Sequence, residues 1–240
     1  MKLNNNLRKY LYYEEENIVI LHGDCLEILP LMETESVDLV VTSPPYNLGN
    51  NHHTGNKRHI PYDDNMPERK YQEWQKLIMC KIYQALTDEG WLFYNHKNRF
   101  KNNEMITPYE WILKTHFILK QEINWVNGSP NMDKSRFFPF SEKIYCLSKI
   151  NAKMQNKLNL TDDWHIAPVG TQGSHTRAFP IKLVSNIMNC IEFSIVLDPF
   201  LGSGTTLVAC KNLGRKGIGI EIEEKYCKIA VERLKQEILL

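Results

Sequence analysis

Two short stretches of this 240-residue chain group residue types that could hold a ligand and handle an amino group. The first is Asp198-Pro199-Phe200-Leu201-Gly202-Ser203-Gly204-Thr205-Thr206, which follows the apolar run Ile195-Val196-Leu197. A buried strand there ends in an acid, turns through Gly-Ser-Gly and enters a helix. Glycines admit positive φ and let a backbone approach a ligand closely. The first N–H groups of a helix are free to meet a carboxylate or phosphate. Alone, the turn would suit a dinucleotide, a phosphate or an aminoacyl carboxylate, or would be a plain strand–helix turn. Glu221 closes the next apolar run, Gly217-Ile218-Gly219-Ile220. An acid at that strand end suits ribose hydroxyls. No third glycine follows at the spacing of a nicotinamide fingerprint.

The second stretch is Thr42-Ser43-Pro44-Pro45-Tyr46-Asn47, after the run Val37–Val41. Two successive prolines cannot continue a strand ladder, and they hold the chain extended and stiff. Their carbonyls can point into a cleft beside Tyr46, whose ring offers a face for stacking. A rigid acceptor pair next to an aromatic platform suits a planar base bearing an amino group. The plain alternative is a proline-stiffened loop.

The elements that must carry these stretches are legible as apolar runs. Ile18–Leu21, Val37–Val41, Trp91–Tyr94, Ile144–Leu147, Ile195–Leu197 and Gly217–Ile220 read as strands without clean alternation, as in a sheet covered on both faces. Helical patterns occupy 70–86, 204–213 and 223–238. In the first, Tyr71, Trp74, Leu77, Ile78, Ile82 and Leu86 share a face. Strands alternating with helices predict an α/β chain with a mostly parallel sheet. Two irregular segments interrupt it, the Asn- and His-rich 47–69 and the basic, aromatic 127–141.

Bulk properties agree. Hydrophobic residues are 42% and charged residues 24%, ordinary for a globular chain. No apolar run could cross a bilayer and no signal-peptide core opens the chain, so a cytoplasmic protein without membrane partners is expected. The six cysteines form no Cys-x-x-Cys pair and no zinc spacing. His52 and His53 are adjacent on a polar loop, and no metal is expected. The net charge is only +1, so a nucleic-acid partner would require local concentration of positive charge. Residues 128–160 supply that with six basic against two acidic side chains, although a solvated basic face reads the same way.

Ser43-Pro44-Pro45-Tyr46 together with Asp198–Thr206 closely resembles the N4-cytosine/N6-adenine DNA methyltransferase family. The tetrapeptide precedes the cofactor turn, as in the family's β-class motif order. His22-Gly23-Asp24-Cys25-Leu26, Trp125, Ser141–Lys149 and His175-Thr176-Arg177-Ala178-Phe179-Pro180 extend the likeness along most of the chain. The resemblance implies a permuted Rossmann-like fold, a single catalytic domain over 1–240, and target-recognition segments at about 47–69 and 128–165. The stretch between Lys149 and His175 is short for a target-recognition domain, which leaves recognition to loops. A histidine is usual where Ser141 stands, so no role is carried to Ser141.

The resemblance also implies roles. S-adenosylmethionine would be the cofactor. Asp198, Gly202, Gly204 and Thr205 would surround its methionine moiety, with Phe200 beside it. Glu221 would hold the ribose and Asp24 the adenine amino group. Phe179 and Pro180 would lead a helix (181–191) that closes the cleft. The Ser43 side chain and Pro44 carbonyl would accept hydrogen bonds from the target amine, and Tyr46 would stack on a base flipped from the duplex. No Pro-Cys nucleophile of the C5-cytosine type occurs. Double-stranded DNA would be the partner, met by Lys57, Arg58, Lys134 and Arg136. A cognate restriction endonuclease and a homodimer stay open. Ser43 leans toward N4 of cytosine; N6 of adenine is next, since Asn47 also occurs among adenine enzymes. RNA or protein-amide methylation and an inactive DNA-binding relative complete the alternatives.

Overall fold

All six apolar runs form strands of one sheet in this computed structural model, which describes residues 3–49, 64–128, 137–168 and 179–236. In chain order the elements are α1 (Asn5–Arg8), β1 (Leu11–Glu15), β2 (Ile18–His22), α2 (Cys25–Ile28), β3 (Val37–Thr42), α3 (Glu68–Ala85), β4 (Leu86–His96), β5 (Arg99–Lys101), β6 (Glu104–Ile106), α4 (Tyr109–Ile112), β7 (Ile118–Val126), β8 (Ser141–Ser148), β9 (Asp163–His165), α5 (Ile181–Cys190), β10 (Ile195–Asp198), α6 (Thr205–Asn212), β11 (Lys216–Glu221) and α7 (Glu224–Lys235). The nine-stranded sheet has the order β1-β2-β11-β10-β3-β4-β8-β7-β9.

Its five central strands, β2-β11-β10-β3-β4, are parallel throughout. The expected parallel sheet is therefore its centre, and antiparallel pairings flank it on both sides. A two-residue turn returns β1 antiparallel onto β2. On the other side β8 runs antiparallel to both β4 and β7. β1, β7 and β9 were not expected from the apolar runs. They carry many half-buried and exposed positions, so no continuous apolar stretch marks them.

Both faces of the centre are covered, which explains the missing alternation. Ile18, Ile20, Leu39, Val41, Phe93 and Val196 face α5, α6 and α7. Val19, Leu21, Val40, Leu92, Tyr94 and Leu197 face α2, α3 and α4. In α3 the buried face is Tyr71, Gln75, Ile78, Met79, Ile82 and Ala85; Leu77, expected on it, is exposed, and Leu86 already begins β4.

The crossover β10–α6–β11 lies on one face and β3–α3–β4 on the other. Adjacent β10 and β3 thus send their chains to opposite faces, and a crevice opens outside their carboxyl ends. The expected irregular segments overlap regular elements at their carboxyl ends. Segment 47–69 enters α3 at Glu68, and 127–141 enters β8 at Ser141.

Candidate active site

The carboxyl ends of β2, β11, β10, β3 and β4 share one edge of the sheet. Antiparallel β8 brings its first residues to the same edge, where His96 pairs with Lys143 and Asn95 with Ile144. Two halves of a site therefore meet at the β10–β3 boundary.

The cofactor-type half is built from β2, β11 and β10. Asp198 is 4% exposed, and its carboxylate accepts from Thr206 Oγ1 (2.6 Å), Thr42 Oγ1 (2.8 Å) and the Phe200 amide (3.1 Å). Burial lifts its pKa to about 6 against the lowering of those three bonds. The Thr42 bond ties β10 to β3 across the boundary. Glu221 accepts from the Gly202 amide (2.7 Å) and the Glu223 amide (2.9 Å), and burial raises its pKa to about 7. Asp24 caps α2 through the Leu26 amide (2.8 Å), and the neighbouring Gly23 amide donates to the Glu221 carbonyl (2.9 Å).

The glycines of the turn differ. A Cβ on Gly204 (φ +85°) would stand 2.7 Å from Ala230 Cβ, so α6 and α7 could not approach as they do. A Cβ on Gly202 (φ +53°) would meet nothing nearer than the Phe200 carbonyl at 4.0 Å. Open space at the tip of the turn, beside Glu221, fits a bound cofactor. Thr205 is buried and its Oγ1 accepts from Arg233 Nη1 (3.0 Å), which also donates to the Ser203 carbonyl (2.8 Å). Arg233, on α7, anchors the turn, and nothing in the sequence singles it out within the helical pattern of 223–238. The Phe200 ring meets Trp74 edge-on at 5.7 Å, whereas Phe179 sits on the other face of the sheet against Trp125 (5.9 Å).

The amine-type half is built from β3, β4 and β8. Ser43 Oγ lies 2.8 Å from Tyr46 Oη, which donates to Glu142 Oε2 at 3.0 Å. Asn95 Nδ2 donates to Tyr46 Oη, Ser43 Oγ (3.4 Å) and Glu142 Oε2 (3.1 Å). Asn95 Oδ1 is buried with no partner among the described residues. The Tyr46 ring stands 4.6 Å from that of His96, with Lys97 Nζ 5.3 Å from its centre.

Beneath the tetrapeptide runs a buried chain of donors. Trp111 Nε1 donates to Tyr94 Oη (3.1 Å), Tyr94 to Gln75 Oε1 (2.9 Å), Gln75 Nε2 to Tyr71 Oη (2.7 Å), and Tyr71 to the Pro45 carbonyl (2.6 Å). His96 Nε2 also faces Tyr71 Oη at 2.7 Å, and its Nδ1 faces the Lys97 carbonyl at 2.7 Å. Burial lowers the His96 pKa to about 3, so the ring is neutral. The Pro45 carbonyl lies within reach of Tyr71 Oη and of Gln75 Nε2 (3.4 Å), and it shares the single Tyr71 proton with His96 Nε2, which accepts because Nδ1 donates to Lys97; the Pro44 carbonyl accepts no bond among the described residues.

Asn95, His96, Lys97 and Glu142 were not singled out from the sequence. Polar residues directly after the run Trp91–Tyr94 carried the same signal as Asp198 and Glu221. Glu142 carried none, because only the antiparallel setting of β8 brings a strand's beginning to this edge. Asn47 (φ +55°) clasps the loop base: its side chain exchanges bonds with the Met66 backbone (2.9 and 2.6 Å), and Asp64 accepts from the Asn47 and Leu48 amides. Lys57, Arg58, Lys134 and Arg136 lie outside the described residues, as do His52, His53 and 175–178 of the His175 motif. Among the described residues no group of acids, histidines and cysteines could hold a metal ion, and no helix is long and apolar enough to cross a membrane.

A model of the N6/N4 DNA methylase family matches residues 37–232. The Type II methyltransferase M.ScaI of Streptomyces caespitosus is 31% identical over 94% of this chain and 84% of its own length. Among solved structures, the PvuII DNA methyltransferase, described as cytosine-N4-specific, superposes with a TM-score of 0.79 at 21% identity, covering 95% of this chain and 90% of that one. M1.HpyAVI, solved as a SAM complex, superposes with a TM-score of 0.60 at 26% identity over 91% of this chain and 100% of its own. With a cofactor-type half and an amine-type half meeting at one sheet edge, the chain belongs to the N6/N4 DNA methylase family, enzymes that transfer a methyl group from S-adenosylmethionine to an amino group in DNA.

Proposed function

We propose that the chain methylates N4 of cytosine in double-stranded DNA, with Ser43–Tyr46 as the amine site. The observation that carries this reading is the Ser43 hydroxyl, fixed by Tyr46 and Asn95 one strand away from the buried Asp198. S-adenosylmethionine, when bound, supplies an electrophilic methyl group. Asp24, Asp198, Phe200, Gly202, Gly204, Thr205 and Glu221 would hold it, Gly202 by leaving space and Glu221 by accepting from ribose hydroxyls. Gly204 and Thr205 act through the turn's packing. Phe179, on the opposite face from Phe200, would act through the start of α5. The whole chain would work as one catalytic unit, with recognition carried by the segments near 47–69 and 128–165.

The exocyclic amine is a weak nucleophile because its lone pair is delocalised into the ring. Ser43 Oγ and the uncommitted Pro44 carbonyl can accept its two N–H bonds and favour a nitrogen with its lone pair available. Acceptors fixed in advance stabilise the charge that develops there. The tetrapeptide is held rigid from below by Tyr71, so positioning supplies a large share of the acceleration. Tyr46 would stack on the flipped base, whose extrusion costs a few kcal/mol. Lys57, Arg58, Lys134 and Arg136 would meet phosphates and make affinity salt-sensitive. A cognate restriction endonuclease belongs to the same reading, since the matched relatives are Type II methyltransferases.

Ser43, the residue that leans toward cytosine, stands in the amine site. Asn47, which pointed toward adenine, is engaged in clasping the loop base. The cytosine-N4-specific description of the PvuII enzyme is consistent, although the likeness to it is one of fold. The test is methylation of DNA with labelled cofactor followed by digestion to nucleosides. Label in N4-methyl-2′-deoxycytidine is expected. Label in N6-methyl-2′-deoxyadenosine alone overturns the cytosine reading.

A further inference from the structure

One carboxylate at the amine site has no role in the mechanism above. Glu142 is the second residue of β8, and its side chain is only 13% exposed. Its Oε2 accepts from Tyr46 Oη and Asn95 Nδ2, and its Oε1 from Lys97 Nζ and Asn127 Nδ2, both at 3.4 Å. A carboxylate can only accept, whereas a phenol has a single proton to give. With that proton committed to Glu142, Tyr46 Oη must accept from Ser43 Oγ. Asn95 Nδ2 donates to the same phenol oxygen, which is then full. Ser43 has thereby spent its own proton. A lone pair of Ser43 Oγ remains, and it can meet only a donor such as an amino N–H. A keto oxygen in the same place would face lone pair against lone pair.

We propose that Glu142 sets the polarity of the chain Ser43–Tyr46–Glu142, making Ser43 an obligate acceptor that selects amino over keto bases, and that Glu142 receives the amine's proton along this chain. The proposal rests on the reading of Ser43 as the amine's acceptor and holds for cytosine and adenine alike. As the N–C bond forms and the S–C bond breaks, its electron pair stays on sulfur and the nitrogen becomes cationic. The nitrogen's proton passes to Ser43 Oγ, that of Ser43 to Tyr46 Oη, and that of Tyr46 to Glu142 Oε2. The products are a neutral methylated base, neutral Ser43 and Tyr46, and a protonated Glu142 that returns its proton to solvent. Glu142 acts on the base through Ser43 and is a positioning residue.

The test uses the full chain and duplexes carrying its recognition sequence, identified by methylation-aware sequencing. In one duplex the target base is replaced by its keto counterpart, uracil for cytosine or hypoxanthine for adenine. Binding is measured without cofactor, and methyl transfer in single turnovers. Glu142→Gln is expected to slow transfer about 100-fold and to lower the amino-over-keto binding preference several-fold, while binding to DNA lacking the site is unchanged. Glu142→Asp should restore part of both. Tyr46→Phe keeps the ring and removes the bridging hydroxyl, so it should lose the same preference even if Glu142→Gln folds poorly. Ser43→Ala separates the two readings. If Ser43→Ala loses transfer and preference while Glu142→Gln and Tyr46→Phe keep both, the role of Glu142 is overturned and that of Ser43 stands. If Ser43→Ala keeps both, the amine-site reading falls and the role of Glu142 with it.

Discussion

Gly202 and Gly204 stand two residues apart, and both hold positive φ, yet for different reasons. At Gly204 the missing side chain lets α6 rest on α7, with the virtual Cβ 2.7 Å from Ala230 Cβ. Gly204→Ala is expected to cost about 2–4 kcal/mol, combining left-handed strain with overpacking. At Gly202 the space is open, so Gly202→Ala should cost only the backbone strain of about 1–2 kcal/mol. Its methyl group would enter the space assigned to the cofactor. Calorimetry should then show S-adenosylmethionine binding weakened at least about tenfold, a loss of about 1.4 kcal/mol, while melts show a folded protein. Wild-type affinity in Gly202→Ala would place the cofactor elsewhere. The two glycines looked alike in sequence; only the neighbour across the turn separates a packing glycine from a ligand glycine.

Among the elements, α3 has two tasks on one face. Tyr71, Ile78 and Ile82 fill the core, and Tyr71 and Gln75 carry the donor chain that ends on the Pro45 carbonyl. Tyr71→Phe keeps the ring and strips Gln75 Nε2 of its close acceptor. Leaving buried polar groups underused costs about 1–3 kcal/mol. The variant should be less stable by that amount in denaturant titration. Its methyl transfer should also slow, because the tetrapeptide loses its support, with cofactor affinity unchanged because the cofactor half stands on β2, β11 and β10. A parallel loss of cofactor affinity would show that the halves are not separable. The apolar spacing of 70–86 was enough to give the helix and most of its buried face. It could not give Gln75, whose burial is tolerable only because Tyr71 and Tyr94 meet its amide.

For the whole molecule, the two buried acids make stability depend on pH. Asp198 rises to about 6 and Glu221 to about 7, in both cases chiefly through burial. Each folded pKa lies above its unfolded value, so folding favours the protonated forms. The associated stability is complete below about pH 4 and is lost progressively from there up to the folded pKa of each group, about 6 for Asp198 and about 7 for Glu221, on the order of 3 kcal/mol for each. The cofactor-free protein should accordingly lose melting temperature across about pH 4–7 at fixed ionic strength and level off above that. Glu221→Gln should flatten the upper part of that decline. Groups that donate to the carboxylates favour their charged forms, so S-adenosylmethionine should bind more tightly as pH rises through the same range. A melting temperature that rises steadily with pH would contradict the assignment of these acids as buried.

The sequence by itself determined the strands of the parallel centre, the helices between them, the cofactor turn and the tetrapeptide, because these are local. Apolar runs, glycine spacing and paired prolines act within a few residues of themselves. Tertiary structure alone decided which segments meet at the edge. The Thr42–Asp198 bond across the β10–β3 boundary, Arg233 on the turn, and Glu142 beside Tyr46 join residues far apart in the chain. Glu142 is the clearest case. Its chemistry was visible in the sequence, but its meaning depended on the direction of β8, which the long-range pairing with β4 and β7 fixes. Hydrophobic patterning states which face of a strand is buried; which end of that strand arrives at the crevice is set by the sheet as a whole.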